Sequence, residues 1–465
     1  MSDTIAKLLY ERRSDKLKDK DNIWKLVYES YQGGPDYING SNLFQYHIED
    51  NLRYKLRLKR ADYTNHTQQL IDMLRGFIYA KPVKRYIDET KYQYIHNDIS
   101  KGKSMQSFIS MIATNFLKST VGILVDSPQI PEGMSEAERR ELNLNPYAVY
   151  YSPFHICDYE YDDRGELLWV ILDNSYIDKT DPEKPAEKKN VKRLWTREYY
   201  RDIYKENDGN GNSVYRADDP TNHDLNVVPF IFANCRDTDD DYICDSPFED
   251  IALKSRTVFN INSWCDETLA GSAFNVLFYP YETMADIDKI SELFGSGGIA
   301  DISVYPFNGK FSAPVFGGPK LEGIDKYISK MNHTTAEILG KFGIKQDPKG
   351  FWESGVAKEI DFEKTEAFLR DCSEQLQSIE ERIVGLCGLW EGAKIDAEIS
   401  YPFEYSREDI EKELSRLNEA FTIPSKKVQE KAYSEKIKLL FPGVDPGELE
   451  ELVQDIQETQ GVPAL

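Results

Sequence analysis

From Ser354 to Trp390, apolar or small side chains recur at alternating spacings of three and four. Phe362, Thr365, Leu369, Cys372, Leu376, Ile379, Ile383, Leu386 and Trp390 share one seam, with charged or amide residues at most positions between them. A 3.5-residue repeat kept over about four heptads predicts one long helix packed along its whole length. At ~1.5 Å per residue it spans roughly 50 Å, more than one ordinary compact domain buries. On its pattern alone such a rod points to assembly.

Other segments are legible in the same way. Ile48 to Leu74 is helical in pattern and ends at Gly76 before Lys81-Pro82, and a second helix fits Met105 to Lys118. Val121 to Asp126 has the length and β-branching of a buried strand. Between Tyr147 and Tyr215 lie short runs broken by Asp162-Asp163-Arg164-Gly165 and by Asn207 to Asn212, the turn chemistry of an antiparallel sheet. Ser246, Pro247 and Glu249 form a capping signal for a helix running to about Leu269. Phe274 to Tyr279 reads as a strand. Tyr281 to Gly323 is rich in Gly, Pro and Ser, a small excursion from the helices. A helix returns at about Ile324 to Phe342, and Gly343 to Gly350 breaks the chain before the long seam. After Gly392 come a β run, Ile395 to Phe403, and two charged helices, Glu404 to Phe421 and Ser425 to Phe441. The class expected is α+β.

Composition narrows the chemistry. Fifty-seven Lys plus Arg against 80 Asp plus Glu leave a net charge of −23 over 465 residues, which opposes tight, sequence-independent DNA binding because that affinity comes from cations on phosphates. A conduit through which DNA slides escapes this objection. The basic run Arg53, Lys55, Arg57, Lys59 and Arg60 reads as a solvated helix face, with Glu49 placed four residues before Arg53. No run of 18 apolar residues or apolar leader is seen, so neither membrane insertion nor secretion is expected. The six cysteines show no CxxC and are expected reduced and buried; the six histidines show no ligand spacing, so neither metal nor cofactor is expected.

Three near misses complete the inventory. Gly102-Lys103-Ser104 lacks the first glycine of a phosphate loop, the position being Asn97. Asp237 to Asp241 resembles a calcium loop, but Tyr242 and Phe248 stand where Gly and Glu are needed. Gly295-Ser296-Gly297-Gly298 lacks the spacing of a nucleophile elbow. No enzymatic constellation emerges.

Ordered blocks carry a resemblance. The first is Tyr54, Arg57-Leu58, Arg60-Ala61, Tyr63, Asn65, Thr67, Ile71-Asp72, Leu74, Gly76-Phe77-Ile78 and Lys81-Pro82. The second is Pro146 to Tyr150 with Ile156, Asp158, Gly165-Glu166-Leu167 and Val170. The third is Val228 to Asn234, then Asp245 to Ala252. Over roughly residues 46 to 275 these resemble the portal proteins of tailed double-stranded DNA bacteriophages, the head-to-tail connectors, and beyond 276 the layout of elements is similar.

The resemblance implies a portal fold: an N-terminal segment (1–45), a mixed α/β wing (46–245), a stem helix and strand (246–280), a clip (281–323), a second stem helix (324–344), a tunnel loop (345–356), a long wing helix and strand (357–407) and a helical crown (408–465). It places Lys345, Lys349, Phe351 and Trp352 at a DNA channel. Tyr281, Glu282, Lys310 and Lys320 fall in the clip that meets terminase or adaptor proteins, and Leu369, Leu376, Ile379 and Ile383 at the contact between subunits. The implied protein is a non-enzymatic ring, a dodecamer at one capsid vertex of the virion, assembled in the host cytoplasm. It passes double-stranded DNA non-specifically during packaging and ejection. Its implied partners are the terminase large subunit, head-completion or adaptor proteins, and the major capsid or scaffold protein. Two rivals follow from the residues themselves: a cytosolic coiled-coil scaffold dimerising through Phe362 to Trp390, and a metal-dependent nuclease built on Asp237 to Asp241.

Overall fold

The computed structural model describes residues 3–88, 90–129, 134, 138–139, 142–208, 211–238, 242–273, 276–281, 288–289, 303–308, 313–317, 323–344, 355–402, 417–420, 423 and 425–440. The chain divides into two units, Met1–Glu404 and Tyr405–Leu465. Within the first, the described helices are α1 (Asp3–Glu11), α2 (Asp15–Gln32), α3 (Gly34–Tyr37), α4 (Asn51–Arg60), α5 (His66–Ile78), α6 (Gln93–Asn97), α7 (Met105–Phe116), α8 (Glu249–Ala273), α9 (Ile324–Gly340) and α10 (Gly355–Glu391). The second unit contributes α11 (Lys426–Leu440). The strands are β1 (Lys84–Ile87), β2 (Val121–Asp126), β3 (Tyr147–Tyr151), β4 (Ile156–Tyr161), β5 (Leu167–Asp173), β6 (Tyr176–Asp178), β7 (Glu187–Thr196), β8 (Tyr199–Asn207), β9 (Ser213–Ala217), β10 (Thr221–Asn222), β11 (Phe230–Ala233), β12 (Val276–Tyr281), β13 (Ser303–Asn308), β14 (Val315–Gly317) and β15 (Ala397–Ser400). The class is α+β.

The largest sheet has seven strands, ordered β10-β8-β7-β5-β4, with β6 on β7 and β9 on β8, all antiparallel. Its alternation of side chains buries both faces. Val170, Leu172 and Trp195 point into a core with Leu17 and Trp24 of α2, whereas the alternate Ile171, Leu194 and Ile203 meet Ala6 of α1. That is the period-2 consequence of the pleat. The turns obey the sequence: Gly165 takes φ +78 and Gly211 φ +83, and Asp162 Oδ1 accepts from the Arg164 and Glu166 amides, each at 2.9 Å.

β2 lies at the centre of a three-stranded sheet between β11 and β3. Five of its six residues are buried, which is why it reads as a continuous apolar run instead of an alternating one. Gly122 is required there, because a Cβ would sit 2.3 Å from Phe230 Cζ and 3.2 Å from Ile156 Cδ1.

Two expectations are corrected and a third is filled in. The helical stretch Ile48 to Leu74 is two helices, because Asn65 caps a new start by accepting from Gln68 N at 2.8 Å. The second of these runs through Gly76 to Ile78. The Gly/Pro-rich excursion holds β13, parallel to β12, and β14, antiparallel to it. Finally, Glu49 pairs with Arg57, not Arg53, which meets Asp50 at 3.3 Å.

Candidate functional site

The helices announced by the Ser246 signal and by Ile324 to Phe342 are α8 and α9, and they pack along each other. Their shared end is fixed by several contacts. Ser246 Oγ accepts from Phe248 N (3.0 Å) and donates to Leu117 O (3.0 Å), so the cap also ties the helix to the turn after α7. Lys341 Nζ donates to Pro247 O at 2.7 Å. The Phe342 ring lies tilted 5.3 Å from that of Phe248 and 5.7 Å from that of Phe368, so the residue after α9 meets the start of α8 and the side of α10. Lys254 bridges Asp250 at 3.1 Å and Glu337 at 3.6 Å across the pair.

α10 is one helix of 37 residues, as its seam predicts, but the inference from seam to assembly is overturned. Thr365, Leu369, Cys372, Leu376, Ile379, Ile383 and Cys387 are buried within the chain, against α5, α7, β2 and β11. Leu369, Leu376, Ile379 and Ile383 are therefore core residues and not a contact between subunits. From Thr365 onward, helices cover one part of the rod and sheet strands another. The same burial leaves no free seam from Thr365 onward for a coiled-coil dimer. Trp390 closes the row by donating Nε1–H to Val125 O at 2.8 Å.

Beside the seam, Arg85 of β1 makes a two-point ion pair with Glu380, through Nε to Oε1 and through Nη2 to Oε2 at 3.1 Å. Glu380 is fully buried and also accepts from Tyr401 OH at 2.9 Å. Burial and the carboxylate push the Tyr401 and Tyr79 hydroxyls up, keeping both protonated. The brace locks the long helix to the small β1–β15 sheet. A charge flanking an apolar seam gives no sign in sequence that it will be buried, and Glu380 was not foreseen. Arg57 had a signal, its fixed place in the Tyr54-x-x-Arg57 block. It donates to Glu49 Oε1 and Oε2 (2.9 and 2.8 Å), Phe44 O (2.6 Å) and Ser263 Oγ (3.2 Å), joining α4 to α8.

Lys345, Lys349, Phe351 and Trp352, expected at a channel, lie outside the described residues, as do Glu282, Lys310 and Lys320 of the expected clip. Tyr281 ends β12, paired in register with Asn308 of β13.

The near misses resolve locally. Gly102 sits at φ +78 in a tight turn closed by Asp98 Oδ1, and Ser104 caps α7 by accepting from Ser107 N. Asp237 accepts from Gln375 Nε2 at 2.6 Å; Asp239 to Asp241 lie outside the described residues. Among the described residues no group of three or more His, Cys, Asp or Glu side chains is arranged to hold a metal. All six cysteines are free and buried. Cys244 is held down to about 6 by the Cys235 thiol and by Arg236, whose Nε lies 3.3 Å from the sulfur, but no histidine base or open approach accompanies it. An open cleft of about 590 Å³ runs beside the end of α10, walled by Tyr161, Phe232, Tyr242 and Leu389, with Arg197 and Arg382 at its polar side. Its lining presents no pair of catalytic groups.

No family model matches this chain, and no curated protein matches it. Solved structures similar to it include the neck of an empty gene transfer agent particle computed with C6 symmetry, 10% identical over 86% of this chain and 96% of that one, with a TM-score of 0.41. Another is the virion of a native gene transfer agent particle, 8% identical over 88% of this chain and 99% of that one, with a TM-score of 0.40.

Proposed function

We propose that this chain is the ring-forming portal subunit of a tailed-phage-type particle, a non-enzymatic structural protein of the virion through which duplex DNA passes. The observation that carries the reading is the succession of elements in one chain. A 25-residue helix, a strand-built excursion and a 17-residue helix packed back along the first are followed by a break and a 37-residue helix. That order supports the stem, clip, stem and wing-helix layout that the resemblance implies; the expected tunnel loop lies largely outside the described residues. The charge of −23 fits a conduit that must not grip its cargo. In this reading the excursion between α8 and α9 meets the terminase and later the head-completion proteins, and a separate ATPase supplies the motor chemistry.

Electron micrographs and mass measurement of the purified full chain test the proposal. Closed rings with a central hole, at a mass twelve times that of the chain, are the expected result. Single chains at every concentration, or rods, would overturn it.

A further inference from the structure

α4 faces the wrong way for an ordinary surface helix. Its Arg57 is 2% exposed, while Leu52 and Leu56 are 69% and 48% exposed. Ile48, at 84%, and Phe44, at 50%, are exposed apolar side chains of the preceding loop. The arginine sets the rotation: four hydrogen bonds to Glu49, Phe44 O and Ser263 hold it, with its guanidinium 4.3 Å over the Tyr46 ring. The loop is equally fixed. Asn260 of α8 accepts from Phe44 N at 2.8 Å and donates to Asn42 O at 2.9 Å. The helix cannot roll to hide its leucines without unpairing a buried charge, so the exposure is built in. Leu52 and Leu56 share one hollow with Pro35 and Ile38, and exposed apolar side chains gathered in this way are the signature of an interaction surface.

Charge tells what covers it. Arg53 meets Asp50 and Arg60 meets Glu267. Lys55 and Lys59 flank the leucines, are exposed, and have no hydrogen bond or ion pair among the described residues. Beside them is a hollow of about 470 Å³ lined by Pro35, Ile38, Leu52, Leu56 and Lys59. The exposed ammonium groups at the rim favour a matching surface that carries carboxylates, and this chain has 80 acidic residues against 57 basic ones. A two-fold contact of the patch with its own copy would bring the lysines of the two copies near one another, which disfavours it.

We infer that Phe44, Ile48, Leu52 and Leu56, with Lys55 and Lys59, form one half of a head-to-tail contact whose other half is an acidic face of the next copy. This rests on the ring reading above. A contact between two unlike faces generates closed rings when its rotation closes and filaments when it does not.

The experiment mixes full-length ¹⁵N-labelled and unlabelled chains before assembly, then joins ammonium to carboxylate groups with a zero-length carbodiimide. Peptides linking Lys55 or Lys59 of one isotope to Asp or Glu of the other are expected. Leu52→Asp with Leu56→Asp, and separately Lys55→Glu with Lys59→Glu, should raise the concentration at half-assembly about tenfold or more while the circular dichroism spectrum is unchanged. If the wild type assembles and both variants assemble equally well, or if all such links stay within one chain, the assignment of this patch falls and the ring reading stands. If the wild type itself stays single, both fall. Loss in the variants of binding to anionic lipid vesicles, with assembly intact, would overturn the inference in favour of a membrane surface.

Discussion

Lys118 carries its ammonium between two tyrosine rings, 4.4 Å from the Tyr28 centroid and 4.2 Å from that of Tyr31. Burial pushes it down to about 8. The folded value lies below the ordinary lysine range, so the cost of holding the charge inside is present in full below pH 8. Between about 8 and 10.5 the unfolded chain binds the proton that the folded chain has released, and stability rises with pH across that window. Lys118→Met should accordingly raise stability by roughly 1–3 kcal/mol near pH 6.5, the gain shrinking toward pH 10; thermal unfolding at both values checks it. Gly122 is a second single-residue test. Its alanine variant drives a methyl into the buried Phe230 ring, and a loss of about 1–3 kcal/mol is expected from overpacking in denaturant titrations. Legibility at this scale was uneven. The glycines and aspartates of hairpin turns were readable because their chemistry is local. Asn65 gives no clear cap signal because the apolar period runs on through it.

At the scale of elements, the long helix was legible and its partners were not. A heptad-like seam reports that a face is packed, and it carries no information on whether the packing comes from the same chain. Here α5, α7, β2 and β11 supply it, so the residues chosen as an intersubunit contact became core. The excursion after Tyr281 hid its strands because Gly and Pro mask the alternation on which strand reading depends. The Arg85–Glu380–Tyr401 brace makes the element-scale prediction. Arg85→Ala strands a buried carboxylate and should cost about 3–5 kcal/mol. Replacing both partners, Arg85→Met with Glu380→Leu, should recover more than half of that. A double-mutant cycle by chemical unfolding measures the coupling, and additive losses would show that the pair is not a unit.

Across the whole molecule, the acidic balance sets what the chain can do with nucleic acid. Gel-shift titration with linear duplex at about 150 mM salt should give no retained complex below roughly 10 µM protein, with a shallow salt dependence. Tight binding with a steep salt slope would contradict a slipping conduit. The order of elements was readable over most of the chain because helix and strand periods are set residue by residue. Pairings between distant segments were not, and β1 with β15 is the clearest example.

That pairing joins Lys84–Ile87 to Ala397–Ser400. During synthesis the first strand waits, with its hydrogen-bonding edge open, until the second has left the ribosome. Contacts so far apart in sequence make closure a late and slow step, and an unpaired edge in the interval is a template for wrong partners. A chain ending before Ala397 would keep that edge permanently, and should be recovered as aggregate.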